Sequence, residues 1–181
     1  MLVEKKISGW SSYKYYNTKV FTPNSVSNLI HFLKNNDDNT KIISRGHGCS
    51  FGDQAICSNK NAVTIDMSSL NKIVKLDKEN KILKVESGAK LNQILKFLLT
   101  KNLTLNSIPG GLEITVGGAI SNNVHGKDCW KNGYFESNVK SILISGGNGE
   151  LKKLSKSENP EYFKNIFCSI GLLGIIIEVE L

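Results

Sequence analysis

A chain of 181 residues, 40% hydrophobic and 22% charged, suffices for one domain or two small lobes, with a core that needs no disulfide staples. The net charge of +7 comes from 23 basic against 16 acidic side chains, yet Arg45 is the only arginine and the lysines are scattered. Without arginine forks or a basic stripe, this charge describes a solvated surface that suits an anionic cofactor or substrate, and it argues against a nucleic-acid interface.

The N-terminus, MLVEKKISGW, has no apolar signal-peptide core. In chain order, Ser25–Asn35 places Val26, Leu29, Ile30, Phe32 and Leu33 at helical spacing, after a start signal at Pro23 to Ser25. Lys41–Ser44 is a short strand running into a glycine loop; Ala62–Asp66 and Lys81–Glu86 are further strands. Leu91–Lys101 is a second amphipathic helix, with Leu91, Ile94, Leu95 and Leu98 on one face, and Leu103–Ile108 is extended. The polar and aromatic stretch Lys127–Ser137 is expected to be a loop between lobes. Val139–Ser145 and Glu150–Leu154 form a hairpin around Asn148-Gly149. Asn159–Phe167 is a short helix with Pro160 at its first position, and Ile175–Leu181 is a closing strand of β-branched residues. Strands outnumber helices without regular βαβ alternation, so the class is α+β. A chain ending on a strand leaves room for a further domain after it.

Cys49, Cys57, Cys129 and Cys168 form no CxxC pair, so no metal site is expected. The longest apolar run, Gly171–Ile177, is far short of a membrane span. A reduced, cytoplasmic protein is the resulting expectation.

Three segments carry candidate chemistry. In Arg45-Gly46-His47-Gly48-Cys49-Ser50-Phe51-Gly52-Asp53, three glycines permit tight or left-handed turns, in which successive N–H groups make a concave anion site. Ser50 adds a hydroxyl and Arg45 a charge; the competing reading is a plain glycine-rich turn. The segment is neither a Walker A loop nor the Rossmann fingerprint, since no Gly-Lys-Ser/Thr and no correctly spaced third glycine occur. In Pro109-Gly110-Gly111 and Thr115-Val116-Gly117-Gly118-Ala119, the missing side chains admit either a flat ring or pyrophosphate near the backbone, or close helix–strand packing. Ser121, Asn122 and Asn123 follow as neutral hydrogen-bonding groups. In Val124-His125-Gly126-Lys127, His125 is an acid–base group near the ligand loop, and Lys127 can fix an anion or simply be solvated. His31, on the first helix, reads as surface or core filler.

Taken in order, Gly9-Trp10, Arg45–Asp53, Val85-Glu86-Ser87-Gly88-Ala89, Pro109-Gly110, Thr115–Ala119, Val124–Lys127 and Gly171-Leu172-Leu173-Gly174-Ile175 span nearly the whole chain. This set resembles the FAD-binding domain, of the p-cresol-methylhydroxylase (PCMH) type, of the vanillyl-alcohol-oxidase superfamily. Its nearest subgroup is that of decaprenylphosphoryl-ribose oxidase and the sugar and aldonolactone oxidases. The resemblance implies two α+β lobes with mixed small sheets over residues 1–181, an extended FAD between them, and a separate C-terminal substrate domain. It implies that the backbone from Arg45 to Gln54 wraps the pyrophosphate, and that Gly110, Thr115, Val116, Gly117 and Gly118 also line the cofactor. Asn122, Asn123, Val124, His125 and Gly126 would run along the flavin end, with Ile175 or Ile176 nearer the adenine.

Many members of that family bond FAD covalently through a histidine placed directly before a serine in the first loop. Here Cys49 precedes Ser50 and His47 lies two positions earlier, so noncovalent FAD is expected. The implied activity is oxidation of a sugar-like alcohol by hydride transfer to flavin, with His125 and Lys127 meeting a sugar or polyprenyl-phosphate-sugar substrate. The alternatives are a non-catalytic nucleotide-binding module and, lower, a flavoenzyme like the enolpyruvyl-sugar reductase of cell-wall synthesis.

Overall fold

Two sheets organise the chain, and a central strand of each, β4 (Ala62–Asp66) and β9 (Ile175–Glu180), is buried on both faces. The computed structural model of the protein describes residues 2–37, 39–59 and 61–181. The first sheet contains β1 (Leu2–Ser8), β2 (Tyr15–Phe21), β3 (Lys41–Arg45) and β4 (Ala62–Asp66), in the order β1-β2-β4-β3. β1 and β2 form an antiparallel hairpin, whereas β4 runs parallel to both β2 and β3. Ala62, Val63, Thr64 and Ile65 of β4 are all buried, as expected for an inner parallel strand covered on both faces. Helix α1 (Val26–Lys34) makes the crossover from β2 to β3. Ser25 caps it by accepting from the Asn28 N–H at 3.1 Å, and Leu29 and Leu33 carry its buried face.

The second sheet is antiparallel and contains β5 (Ile73–Asp77), β6 (Ile82–Glu86), β7 (Ser141–Ser145), β8 (Leu151–Ser155) and β9 (Ile175–Glu180), in the order β5-β6-β9-β7-β8. Helix α2 (Leu91–Leu99) packs Leu91, Ile94, Leu95 and Leu98 into its core. Two shorter helices follow, α3 (Val116–Ser121) and α4 (Cys129–Asn132), and α5 (Pro160–Ile166) has the expected proline at its start. Strand β9 joins the lobes. Ile175 and Ile177 belong to the core containing Leu29, Leu33 and Ile65, and Ile176 and Val179 belong to the core containing Leu91 and Ile120. Its run of β-branched residues follows from burial on both faces.

Several expectations need correction. Lys127–Ser137 is not a loop between lobes: it holds α4 and a short 3-10 turn, and Phe135 is fully buried in the second lobe, with its N–H on the Val124 carbonyl at 2.8 Å. Residues 103–108, expected only to be extended, join neither sheet; the Asn138 side chain takes the place of a neighbouring strand. Its Oδ1 accepts from the Asn106 and Ser107 N–H groups, and its Nδ2 donates to the Ser107 carbonyl at 2.9 Å. The strands β1, β2 and β5 and the helix α3 were not predicted. β1 is exposed along most of its length, so it shows no apolar alternation, and two adjacent glycines mask α3.

Candidate functional site

The two lobes enclose a cleft of about 350 Å³, within the range of small-ligand pockets. One wall is the loop leaving the C-terminal end of β3, and the opposite wall is α3 with the segment that follows it.

The first wall is built around Arg45. Its guanidinium donates to the Ser8 carbonyl at 2.7 Å, which ties the end of β3 to the end of β1. The chain then turns back over the guanidinium at Gly48, whose φ of +72° lies in the left-handed region. A Cβ at Gly48 would stand 2.9 Å from the Arg45 Cζ, at the movable end of that side chain, so it is the left-handed backbone angle that favours glycine here. Partial burial lowers the Arg45 pKa, and the nearby Asp66 carboxylate opposes that shift. At Gly46 the loop touches the opposite wall, since a Cβ there would collide with the Thr115 hydroxyl. Among the described residues, the backbone N–H groups of His47, Gly48, Cys49 and Ser50 donate to no protein acceptor. All four residues line the cleft, and unpaired amides beside a cavity call for an anion or other acceptor. Burial pushes the Cys49 thiol up, Glu113 adds to this, and Lys90 and Arg45 oppose it. The thiol is therefore neutral near pH 7 and a poor nucleophile.

The second wall works differently. Thr115 caps α3 by accepting from the Gly118 N–H at 3.2 Å. The Val116 N–H bonds the Ala89 carbonyl at 2.9 Å and the Gly117 N–H bonds the Ser87 carbonyl at 2.8 Å. Its leading amides are therefore satisfied by the protein. A Cβ at Gly117 would lie 3.1 Å from the Ser87 Cβ, so this glycine serves close packing. Val116, Ala119 and Ile120 point into the second core. The wall offers a smooth surface of Gly117, Gly118, Ser121 and Asn122, extended by the apolar Val124, Ile114, Met67, Ile170 and Ile176.

The cleft thus brings together Arg45, Gly46, His47, Gly48, Cys49, Ser50, Phe51, Gln54, Thr115, Gly117, Gly118, Asn122, Val124 and Ile176 from the sequence-derived set. The others lie outside its lining. Val116 and Ile175 are buried in the two cores. Gly126 is buried where a Cβ would meet Asp128 Oδ1 at 2.6 Å, and Gly52, Asp53 and Gly110 are exposed. Asn123 exchanges two hydrogen bonds with Glu136, at 3.0 and 3.1 Å. Lys127 is exposed, and so is His125, whose ring meets the Tyr134 ring edge-on with centroids 5.9 Å apart. The His125 Nδ1 lies 3.3 Å from the Gly126 carbonyl. Reading the sequence missed Ser44, Ala55, Met67, Ser87, Ile114, Ile170 and Gly171 as lining residues. Ser87 and Gly171 fall inside segments that carried the resemblance and were findable; Met67 carries no such signal.

A two-lobed α+β domain, whose first glycine loop presents unpaired amides across a cleft from a glycine-lined wall, suits a ligand that carries an anionic group beside a flat surface. The sequence model of the FAD binding domain matches residues 18–155, and the chain belongs to that family. It is 34% identical over 141 residues to decaprenylphosphoryl-beta-D-ribose oxidase of Mycolicibacterium smegmatis, covering 77% of this chain and 30% of that protein. It is 30% identical over 156 residues to cytokinin dehydrogenase 2 of Arabidopsis thaliana, covering 86% of this chain and 30% of that protein. With L-gulonolactone oxidase of Bos taurus the identity is 27% over 164 residues, covering 89% and 36% of the two chains. The chain thus spans about a third of the length of these relatives.

Proposed function

We propose that the cleft binds FAD noncovalently and that the protein of which this domain is part oxidises a CH–OH group of a sugar-like substrate. The observation that carries the reading is the set of unpaired amides at His47–Ser50 beside glycines that let a pyrophosphate approach. When bound, FAD supplies hydride acceptance. The first loop would hold the pyrophosphate, with Ser50 and Gln54 adding side-chain donors. The α3 wall, Val124 and Ile176 would exclude water along the flat part of the cofactor, with Gly110, Asn123, Gly126 and Ile175 shaping that surface from behind or beyond it. His125 and Lys127, just outside the cleft, would meet the substrate; the ammonium suits a phosphate-bearing one, such as a polyprenyl-phosphate sugar. Catalytic groups from a C-terminal substrate domain would complete the pocket. The neutral Cys49 thiol supports noncovalent attachment.

Among the described residues no helix is long and apolar enough to cross a membrane; a cytoplasmic location is proposed on the sequence features given above. The relatives are named as oxidases and dehydrogenases, which supports an enzyme over a non-catalytic module or a reductase. The test is titration of the purified chain with FAD, followed by visible absorption and flavin fluorescence. A saturable yellow complex whose flavin is released into the supernatant by acid precipitation is expected. A chain that takes up no added FAD overturns the reading.

A further inference from the structure

We propose that the turn between β1 and β2 together with the strand ends that flank it, residues 8–16, is a clamp that sets the shape of the pyrophosphate-binding loop, making Gly9, Ser11 and Tyr16 positioning residues for the cofactor. The inference rests on the reading of the cleft as an FAD site and extends it to a segment before residue 18, where the family model's match begins, and of which the resemblance includes Gly9-Trp10 with no role assigned.

The contacts run along the whole outer side of the loop. The Ser8 carbonyl accepts from Arg45 at 2.7 Å, at the start of the loop. The Trp10 N–H donates to the Ser50 carbonyl at 2.8 Å, and the Ser11 hydroxyl donates to the Phe51 carbonyl at 2.6 Å. The Tyr16 hydroxyl donates to Asp53 Oδ2, where the loop ends. That bond holds the Asp53 carboxyl below its usual range and raises the Tyr16 phenol. Between these ties the two backbones touch: a Cβ at Gly9 would overlap the Gly52 carbonyl oxygen and stand 3.0 Å from the Ser50 oxygen.

The direction of these bonds gives the clamp its purpose. The turn engages loop carbonyls, at Ser50 and Phe51, while the loop amides from His47 to Ser50 have no protein partner among the described residues. The Ser50 and Phe51 carbonyls share their peptide planes with the Phe51 and Gly52 N–H groups, which also have no protein acceptor among the described residues; fixing these planes anchors the loop immediately after the His47–Ser50 amides, so an anion meets a segment already held in place. A loop of three glycines in eight residues, Gly46 to Asp53, has little rigidity of its own, so outside ties are what make it a preorganised site.

The test uses the full chain carrying Gly9→Ala, Ser11→Ala with Tyr16→Phe, or Lys5→Ala as a control on the exposed part of β1. FAD and ADP dissociation constants are measured by calorimetry, and the melting temperature of each apo-protein is recorded. Gly9→Ala is expected to weaken FAD and ADP in parallel by at least about tenfold. The double variant is expected to weaken both by about three- to tenfold, and Lys5→Ala by nothing measurable, with apo melting temperatures unchanged in the double variant and the control. If Gly9→Ala does not fold, the double variant decides alone. Wild-type chain that binds neither ligand overturns the reading of the site itself. Wild-type binding with an unweakened double variant, or weakening of FAD without ADP, overturns the clamp.

Discussion

The two glycine segments of this protein contain the same residue type for opposite reasons. In the first, Gly48 adopts φ +72° over the Arg45 guanidinium, and the neighbouring amides have no protein partner among the described residues. In the second, Gly117 and Gly118 lie inside a helix, their amides are bonded to Ser87 and Thr115, and Gly117 is a contact between α3 and the segment after β6. One segment spends its glycines on backbone conformation and donor presentation, the other on proximity. The lesson is that a glycine-rich motif near a ligand names no role by itself. What separates the roles is whether the backbone donors are already used.

That contrast can be broken most directly at Gly48. Gly48→Val forces a β-branched residue into the left-handed region, which for L-residues costs about 1–2 kcal/mol before any displacement of Arg45 is counted. The expected outcome is at least about a tenfold loss of FAD affinity, measured by flavin fluorescence titration. Gly117→Ala should show the reverse pattern. Its Cβ crowds Ser87, so apo-protein stability should fall by about 1–2 kcal/mol in urea denaturation, as overpacking does, while FAD affinity changes less than for Gly48→Val. Equal losses of affinity in the two variants would erase the distinction drawn between the loops.

Smaller effects sharpen the comparison. Thr115→Val removes the cap of α3 and should cost about 1 kcal/mol of stability, again read by urea denaturation. Cys49, held neutral by burial, should be alkylated slowly at pH 7 and faster only as pH rises above the ordinary thiol range, about 8.5. The exposed Cys168 should react first, which peptide mass mapping after timed iodoacetamide treatment can check. A flavin that stays with the precipitated protein in acid, through Cys49, would contradict the assignment of that thiol as unreactive.

The smallest expected effect is at Glu113. Lys90 at 2.9 Å and Asn92 at 3.2 Å hold its carboxyl below the usual range. A depressed carboxyl pKa contributes stability above the unfolded pKa, and that contribution is lost as pH falls through the folded one. Because the pair is exposed, Glu113→Gln should leave the melting temperature at pH 7 unchanged within error, with any difference confined to the acid side of the carboxylate range.

Much of this was legible in the residues. The apolar spacing of α1 and α2, the Asn148-Gly149 hairpin and the β-branched run of β9 appear where local pattern places them. The first loop was legible because strand, glycines and a unique arginine stand together. The roles of Gly117 and Gly118 were not, because packing and ligand approach leave the same mark in a sequence: an absent side chain. Phe135 was read as part of a loop because its burial depends on the Val124 carbonyl and the second core, neither adjacent in the chain.

The sequence by itself therefore determined the α+β class, the family and the position of the first glycine loop, since these rest on local periodicity and on glycines in a fixed order. Only the tertiary structure decided which amides are free, which glycine is a packing contact, and that the turn at residues 8–16 holds the loop from outside. Those facts depend on hydrogen-bond partners about 40 residues apart, such as Ser11 and Phe51, and no local pattern encodes a partner at that distance.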